Sequence, residues 1–555
     1  MTTLTDLLSG LVDRDPDAVL AIDAGSGSGQ GTAVTRREFQ LLVARLHADL
    51  ADAGVGRGDC VAVWLPNWSS ALAWQFAAAG LGAHVVGVNT RYNVDELVHV
   101  LDRARPQVIA LAHDFHGLDL AGILRRALNR ATAPTPVVAV VPGPDAAPPA
   151  DPRAYDMGSG AWTPRSTTAD TTAVPAPTGD ELTVAFTTSG STGRPKLAAH
   201  RESAVVAHAL ADARALGIED GDVVGCILPL SGTFGFTTAM AAIAGGAACL
   251  LEPVFQEDTA LAGLARHGAT HLVGGDDMVS RLVDAWRREP RDLSRLRWLG
   301  MADFLGRTRD IAAWARKEFG THTSGVYGSS EVFALALCWP TAEPAPRRWV
   351  GGGHPVSPDI AVRVVEPETD EPVRPGVQGE LQFRGPNVVD AYLGDPEAAE
   401  RAFTPDGWFR TGDLATLAED GAVEYVCRMG DVLRLRGFLV DPAEIEQRLA
   451  GHPAVRTAKV VGARGTDGAP QAVAFVVLDT PTEPEGLREW CAQGLARFKV
   501  PAAVHVLDRM PTTSGTNGTK IRAAALREQA QQLLNQQLTS QQLPSQQLPT
   551  GGDQR

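Results

Sequence analysis

The chain has 555 residues, which is too long for a single hydrophobic core and predicts two or more domains. Its 65 acidic and 50 basic residues give a net charge of −15, which argues against nucleic acid or an anionic membrane as a general partner. Six widely spaced cysteines form neither a zinc motif nor a disulfide framework. Because the first residues lack signal-peptide character and no apolar run reaches the ~18 residues of a membrane span, we expect a cytoplasmic protein.

Helical and strand patterns alternate at the start of the chain. Apolar residues recur at helical spacing over 35–54, 69–80 and 93–102, and short apolar runs at 61–65, 85–88 and 108–111 predict strands. This alternation predicts an α/β fold with a mostly parallel, doubly wound sheet. Residues 132–178 are rich in Pro, Ala, Thr and Asp and predict a long irregular excursion.

A loop of small hydroxyl and glycine residues follows an apolar run at 182–186. It reads Thr-Thr-Ser-Gly-Ser-Thr-Gly-Arg-Pro-Lys and ends at Lys196. Glycines let backbone N–H groups approach a ligand, hydroxyls donate hydrogen bonds, and the lysine adds a positive charge, so the loop predicts a phosphate site. Its glycines are three apart and Leu197 follows the lysine, which differs from a P-loop NTPase. A flexible linker is the alternative, but a linker is not expected to follow a buried strand.

The C-terminal part of the chain has a pattern of its own. Short strands and turns at 379–393 predict a small β subdomain, and a compact α+β unit begins beyond Arg428. Asp441-Pro442 predicts a helix start, strands are expected at 458–462, 472–478 and 504–507, and a helix at 487–495. The Gln-rich tail, 528–555, predicts a segment that cannot bury a core and is disordered or a short frayed helix. A role as an interaction peptide stays open.

Several motifs together resemble the adenylate-forming superfamily, which includes acyl-CoA synthetases, aryl-CoA ligases, luciferases and peptide-synthetase adenylation domains. Besides the loop at 187–196, they are Tyr-Gly-Ser-Ser-Glu at 327–331, Thr-Gly-Asp-Leu at 411–414, the stretch 428–446 and the lysine loop 511–522. The resemblance spans residues 35–522 apart from the excursion. It implies a large N-terminal domain, 1–428, of doubly wound sheets with the small β subdomain, and a small mobile α+β C-terminal domain, 431–527.

The resemblance implies roles for the matched residues, with ATP or AMP, Mg²⁺ and coenzyme A as cofactors. Tyr327 would stack on adenine, Ser330 would touch the α-phosphate, Glu331 would hold magnesium, and Asp413 and Arg428 would bind ribose. The implied catalytic residues are Thr188, Lys196, Glu331 and Lys520. The implied nucleotide- and cofactor-binding residues are Thr188, Ser189, Gly190, Ser191, Thr192, Gly193, Lys196, Ala302, Asp303, Tyr327, Gly328, Ser329, Ser330, Asp413, Arg428, Gly437 and Lys520.

Movement of the C-terminal domain is also implied. Gly430 corresponds to the hinge, where relatives usually carry Asp or Lys, and glycine supplies backbone freedom without a side chain. Lys520 would swing in during adenylation to hold the carboxylate and α-phosphate oxygens. Gly437 would let the pantetheine arm of CoA pass. Arg434 and Arg436 would either meet CoA phosphates or form a solvated strand edge.

The acid pocket is implied at Gly232, Thr233, Phe234, Gly274, Gly275, Met278, Gly325, Val332 and Phe333. Gly232 stands where many relatives have a histidine. Its small size predicts room for a bulky or long acyl group, or a weaker hold on the carboxylate. Asp276 and Asp277 would be unusual beside an anionic substrate, and helix capping is the favoured interpretation.

These observations predict an ATP-dependent, AMP-forming acyl-CoA synthetase. The expected partners are a carboxylic acid, ATP, and CoA or a free-standing carrier protein, with no nucleic acid and no membrane span, in a monomer or homodimer. One alternative is a half-reaction enzyme, which only adenylates for a carrier protein or only thioesterifies a preformed acyl-adenylate. Another is a non-catalytic nucleotide-binding relative.

Overall fold

The computed structural model describes residues 2–25, 31–144, 146–165, 179–188, 195–304, 306–429, 433–435, 438–440, 442–465, 470–495, 497–515 and 518–541. The helices, in chain order, are α1 Leu4–Arg14, α2 Arg36–Asp52, α3 Ser69–Gly80, α4 Val94–Ala104, α5 Leu120–Leu128, α6 Glu202–Leu216, α7 Thr233–Gly245, α8 Glu257–Arg266, α9 Asp276–Arg288, α10 Thr308–Phe319, α11 Pro396–Ala402, α12 Pro442–Ala450, α13 Pro484–Gly494 and α14 Ala523–Gln541.

The strands, in chain order, are β1 Val19–Asp23, β2 Thr32–Thr35, β3 Cys60–Trp64, β4 His84–Gly87, β5 Val108–Ala112, β6 Val137–Val141, β7 Ala161–Trp162, β8 Leu182–Thr187, β9 Leu197–Arg201, β10 Val223–Cys226, β11 Ala248–Leu251, β12 His271–Gly275, β13 Trp298–Ala302, β14 His322–Ser329, β15 Phe333–Cys338, β16 Gly352–Pro355, β17 Ala361–Val365, β18 Gln378–Arg384, β19 Ala391–Tyr392, β20 Phe409–Leu417, β21 Val423–Arg428, β22 Leu433–Leu435, β23 Phe438–Val440, β24 Val455–Arg464, β25 Pro470–Leu478, β26 Ala503–Val506, β27 Thr512–Gly515 and β28 Gly518–Ile521.

The chain divides into two compact units. The first holds Met1–Thr411, Ala415–Tyr425 and Gly515–Gly518, and the second holds Gly412–Leu414, Val426–Ser514 and Thr519–Arg555. The predicted hinge at Gly430 lies outside the described residues, so the predicted domain boundary and the movement about it stay predictions.

Two large sheets form the first unit. One has the strand order β17-β18-β20-β21-β16-β15-β14-β13-β12-β10-β11-β1-β2, and its run from β14 to β1 is parallel. The other has the order β19-β9-β8-β4-β3-β5-β6-β7 and is parallel from β8 to β7. Helices connect the parallel strands, so the predicted α/β class with doubly wound sheets is confirmed.

Local sequence signals fix the helix starts that were predicted. Thr35 and Glu38 form a reciprocal capping box at α2, and Asn93 and Glu96 form another at α4. In each box the cap side chain accepts a backbone N–H that has no partner inside the helix. The helices therefore begin within one residue of the predicted positions.

The prediction of a wholly irregular excursion at 132–178 is wrong for its first part. β6 pairs in parallel with β5, and β7 pairs with β6, so this segment extends the second sheet. β6 consists of a Val-Val-Ala-Val-Val run, and β-branched residues fit a buried strand despite the surrounding prolines. Residues 166–178 lie outside the described part of the chain.

The second unit is built on the three-stranded sheet β24-β25-β26. One face packs on α12 and α13 through a cluster that includes Ile445 and Leu487. The other face packs on α14, because Val473 and Phe475 of β25 alternate in orientation with their neighbours. Ala530 and Leu534 of α14 are buried there, so the prediction that the tail cannot bury a core is wrong for its first turns. Residues 542–555 lie outside the described part.

Candidate functional site

The described ends of the predicted phosphate loop are tied together. Thr188, directly after β8, donates its N–H to the Lys196 carbonyl at 2.8 Å, and its Oγ1 accepts the Lys196 N–H at 3.1 Å. These two bonds close the loop at its base and place Lys196 beside Thr188. The loop residues Ser189, Gly190, Ser191, Thr192 and Gly193 lie outside the described residues.

Lys196 and Glu331 both contact the side chain of Tyr392. Lys196 Nζ lies 4.5 Å from the centroid of the Tyr392 ring, and Tyr392 OH donates to Glu331 Oε1 at 3.2 Å. Tyr392 is only 4% exposed, whereas Lys196 and Glu331 are half-buried. The structure therefore brings a cation, predicted to bind phosphate, to the same place as a carboxylate predicted to hold magnesium. Sequence reasoning missed Tyr392.

A tight turn connects Tyr327 to Glu331. A Cβ on Gly328 would lie 2.3 Å from the Phe333 carbonyl oxygen, so only glycine fits where β14 and β15 approach each other. Ser329 Oγ accepts the Glu331 N–H at 3.2 Å, and the Ser330 carbonyl lies 2.8 Å from His200 Nε2. These contacts hold the backbone of the residues predicted to touch the nucleotide.

Burial lowers the pKa of His200 to about 4, so the imidazole is neutral at pH 7 and donates from Nε2 to the Ser330 carbonyl. Its ring stacks on Phe333 with centroids 4.0 Å apart, and His208 stacks on Phe333 at 4.9 Å. Phe333 holds a φ of +62°, which non-glycine residues rarely adopt. The predicted pocket residues Val332 and Phe333 are thus fully buried packing residues.

Tyr327 is buried and belongs to an aromatic group. Its ring is nearly parallel to that of Phe383, with centroids 5.9 Å apart, and lies 5.6 Å from that of Tyr425. An aromatic platform of this kind suits a planar base. Sequence reasoning missed Phe383 and Tyr425, which come from β18 and β21.

The carboxyl ends of β12, β13 and β14 bring further predicted residues together. Gly275 pairs with Ala302 and Gly274 with Met301, while Met301 pairs with Gly325 on β14. Ligands of open α/β sheets bind outside the carboxyl ends of the strands. A Cβ on Gly325 would lie 2.0 Å from the Val350 carbonyl oxygen, so this glycine permits close backbone approach.

Asp276 organises the loop after β13. Its two carboxyl oxygens accept the N–H groups of Phe304 and Arg307, each at 2.9 Å, and Asp303 accepts the Thr308 N–H at 3.4 Å. Burial and, second, the neighbouring Asp303 raise the pKa of Asp276 to about 7. Asp276 therefore has a structural role at the start of α10, as well as standing in the first turn of α9.

The glycine at the predicted carboxylate gate begins α7. Gly232 is the N-cap residue, and Thr233, Phe234 and, from α9, Met278 are buried. A small cavity adjoins this helix start, beside strands β3, β4 and β8 and helix α3. It is lined by Val63, Leu65, Ala71, Leu72, Gln75, Val85, Gly87, Val184, Phe186, Leu230, Ser231 and Phe236.

In the second unit, Arg428 Nη1 donates to Asp413 Oδ1 at 2.9 Å. The Asp413 side chain is 8% exposed and that of Arg428 is 43% exposed. Gly430 and Gly437 lie outside the described residues, as does the side chain of Lys520, whose backbone lies on β28.

Among the described residues, no group of three or more His, Cys, Asp or Glu side chains is placed to hold a metal ion. No helix in the described part of the chain is long and apolar enough to cross a lipid bilayer.

Comparison with known proteins adds the family context. A family model described as "AMP-binding enzyme" matches residues 11–393, and its companion for the "AMP-binding enzyme C-terminal domain" matches residues 444–516. The chain is similar to a methyl-dioxo-octahydroindenyl propanoyl:CoA ligase of Rhodococcus jostii, with 30% identity over 90% of this chain and 96% of the relative.

Two solved structures are similar throughout. The ATP-bound structure of MatB from Rhodopseudomonas palustris superposes with a TM-score of 0.81 at 24% identity, covering 95% of this chain and 99% of MatB. The amide bond synthetase McbA from Marinactinospora thermotolerans superposes with a TM-score of 0.77 at 25% identity, covering 94% and 100% of the two chains.

Proposed function

The chain belongs to the AMP-binding enzyme family and is an AMP-forming ligase, and on that premise we propose that it is an acyl-CoA synthetase. In the proposed reaction, a carboxylate and ATP give an acyl-adenylate and pyrophosphate. The thiol sulfur of CoA then bonds to the acyl carbon, the bond from that carbon to the AMP oxygen breaks, and AMP leaves. The arrangement of Lys196 and Glu331 about Tyr392 is the observation that carries this proposal.

The first step joins two negatively charged reactants. A carboxylate oxygen forms a bond to the α-phosphorus, the bond from that phosphorus to the pyrophosphate oxygen breaks, and pyrophosphate leaves. The protein must neutralise and orient charge more than it must supply covalent chemistry. Lys196 supplies a positive charge at the base of the phosphate loop, and Thr188 keeps its hydroxyl hydrogen for donation because Oγ1 accepts from Lys196.

Glu331 fits the expected role in holding magnesium. Magnesium is bound through one or two carboxylates together with substrate phosphates and water, and when bound it offsets phosphate charge. A single half-buried carboxylate, oriented by a hydroxyl hydrogen bond, meets that need. The lack of a larger ligand cluster among the described residues is in keeping with an ion that relies on its substrate for ligands.

The remaining assignments follow the family motifs. We assign adenine binding to Tyr327, ribose binding to Asp413 and Arg428, and the support of carboxylate and α-phosphate oxygens to Lys520. Gly430 is proposed as the hinge and Gly437 as the passage for the pantetheine arm. The similarity to the ligase of Rhodococcus jostii, which is named as a CoA ligase, supports CoA as the acceptor.

A panel of carboxylic acids tests the proposal. Short fatty, medium-chain, aromatic and polycyclic acids are incubated with ATP and magnesium, with and without CoA, and acyl-AMP, acyl-CoA and AMP are measured by mass spectrometry. We expect at least one acid of the panel to give acyl-CoA, with one AMP formed per acyl group. Acyl-CoA formed only from a supplied acyl-adenylate would indicate the half-reaction enzyme instead.

One further arm of the same panel adds a primary amine in place of CoA. The similarity to an amide bond synthetase makes an amine the acceptor to compare. Amide formation that exceeds thioester formation would contradict the assignment of CoA while leaving the adenylation step intact.

A further inference from the structure

The short segment 389–393 is hydrogen-bonded through its backbone to Glu331 and to Leu197, the residue after Lys196. Val389 donates its N–H to the Glu331 carbonyl at 2.6 Å, and Leu393 donates to the Leu197 carbonyl at 3.0 Å. β19 lies in this segment and pairs antiparallel with β9, so Tyr392 stands opposite Ala198, two residues after Lys196. The segment therefore ties the backbone beside Lys196 to the backbone of Glu331.

The side chain of Tyr392 also contacts both charged groups, the Glu331 carboxylate and the Lys196 ammonium. Its hydroxyl donates to Glu331 Oε1, and a hydrogen bond to a carboxylate is stronger than one between neutral groups. Its ring face lies beneath the Lys196 ammonium, in the geometry of a cation–π contact. Because Tyr392 is nearly fully buried and lies in a sheet, the residue that makes both contacts is held rigidly.

We propose that Tyr392 is a positioning residue for ATP and its magnesium ion, a role that rests on the proposed function. The hydroxyl orients the Glu331 carboxylate, and the ring face sets the position of the Lys196 ammonium. Tyr392 itself need not touch the reacting atoms. The same side chain thus sets the spacing between the group that meets the metal and the group that meets phosphate.

Two substitutions separate these contributions. Tyr392→Phe removes the hydroxyl and keeps the ring, so Glu331 loses its orienting hydrogen bond while Lys196 keeps its aromatic partner. We expect the magnesium concentration needed for half-maximal ATP binding to rise about tenfold, with metal-free ATP binding unchanged. Tyr392→Leu removes both contacts, and metal-free ATP binding should weaken by about threefold in addition.

The readout is ATP binding without an acid, measured by calorimetry across a magnesium titration, with thermal unfolding recorded for each variant. Tyr155→Phe is the matched control, because Tyr155 also places its hydroxyl near a side chain, 2.6 Å from His113 Nδ1, in the same unit. The control should match the wild type in its metal dependence.

A double-mutant cycle keeps the test decisive if a variant is less stable. In a Glu331→Gln background, Tyr392→Phe should produce no further change in metal dependence, because the hydroxyl acts through that carboxylate. A wild-type metal response in Tyr392→Phe, or an undiminished effect in the Glu331→Gln background, would overturn the proposal.

The outcome can be told apart from failure of the proposed function. If no acid gives AMP but the metal response of Tyr392→Phe is shifted, the positioning role stands and the proposed reaction fails. If acyl-CoA forms normally and the metal response of Tyr392→Phe is that of the wild type, the reaction stands and the positioning role fails.

Discussion

Arg428 forms an ion pair with Asp413, with 2.9 Å between Nη1 and Oδ1, and the buried aspartate is the member of the pair that is held in place. The arginine is the more exposed partner and fixes one carboxylate oxygen. Asp413 follows Gly412, which has a φ of +67° and where an added Cβ would lie 3.4 Å from the Arg428 guanidinium. The pair therefore presents a carboxylate of fixed orientation for the proposed contact with ribose.

Asp413→Asn should weaken ATP binding. A neutral amide offers a ribose hydroxyl only one acceptor oxygen and no charge, and loss of a hydrogen bond to a charged group costs about 1.5–3 kcal/mol. We expect the KM for ATP to rise by about 10- to 100-fold, with a smaller change in the KM for the acid. Steady-state kinetics with each substrate varied in turn provides the measurement.

Asp420→Asn is the matched control for that experiment. Asp420 is half-exposed and pairs with Arg347 at 2.8 Å in the first unit. Exposed ion pairs contribute little, so the KM for ATP should stay within about twofold of the wild type. Equal effects of Asp413→Asn and Asp420→Asn would contradict the ribose assignment.

The positive φ of Phe333 leads us to expect that its glycine variant is more stable than its alanine variant. Replacement of a buried Phe by a small residue costs about 3–5 kcal/mol, and a strained positive φ costs about 1–3 kcal/mol. Phe333→Gly relieves the strain, whereas Phe333→Ala retains it. We therefore expect both variants to be destabilised, with Phe333→Gly the more stable by about 1 kcal/mol in denaturant unfolding of the first unit.

Phe475 provides the comparison for this order. It is fully buried on β25 and is not among the residues of positive φ. Glycine in a strand of ordinary geometry is less favourable than alanine by about 0.5–1 kcal/mol. Phe475→Gly should therefore be less stable than Phe475→Ala, and the same order at Phe333 would show that its backbone is not strained.

The parts of the fold that were predicted correctly are those that short sequence patterns determine without a distant partner in the chain. The capping boxes at Thr35 and Asn93 fixed helix starts, and alternating apolar runs indicated parallel strands. The prediction for the tail was wrong because the many glutamines outweigh Ala530 and Leu534 in its composition. These two residues are buried in one cluster with Phe475, where α14 packs on the sheet. Helix docking depends on a partner surface, and composition alone does not encode it.

The residues of the candidate site also fall into two groups, those that local motifs predicted and those that only the tertiary structure reveals. Lys196, Tyr327 and Glu331 stand in motifs with continuous spacing, and the structure brings Lys196 and Glu331 together. Tyr392 was missed because its importance comes from the pairing of β19 with β9, which joins distant parts of the chain. The only signal in the sequence was one aromatic residue in a short strand after Asp390.

Glu252 predicts a pH-dependent stability. It follows β11, is 8% exposed, and burial raises the pKa of its carboxyl from 4.5 to about 7. Between these two pH values the folded state binds more protons than the unfolded state, so its contribution to stability falls as pH rises through this window. Glu252→Gln should therefore stabilise the protein at pH 8 by about 1–3 kcal/mol, with little gain at pH 4.

Denaturant unfolding of the wild type and Glu252→Gln at both pH values measures this effect. Glu397→Gln is the control, since the Glu397 side chain is 81% exposed. Its difference from the wild type should not vary with pH. A pH-independent difference for Glu252→Gln would show that Glu252 keeps an ordinary pKa in the folded protein.

Lys520→Ala should separate the two steps of the proposed reaction. Lys520 lies on β28 within the lysine loop, and we assign its ammonium to the carboxylate and α-phosphate oxygens during adenylation. Loss of one preorganised charge at a reacting centre costs about 100- to 1,000-fold in rate. AMP formation should fall by that amount, whereas acyl-CoA formation from a supplied acyl-adenylate should persist, because the α-phosphate has then already been attacked.

Lys499→Ala is the control from the same unit, as Lys499 pairs with Glu444 at 2.6 Å and has no assigned role in either step. Rates of both steps, measured separately for each variant by mass spectrometry, decide the assignment: an equal loss in the two steps for Lys520→Ala would refute it.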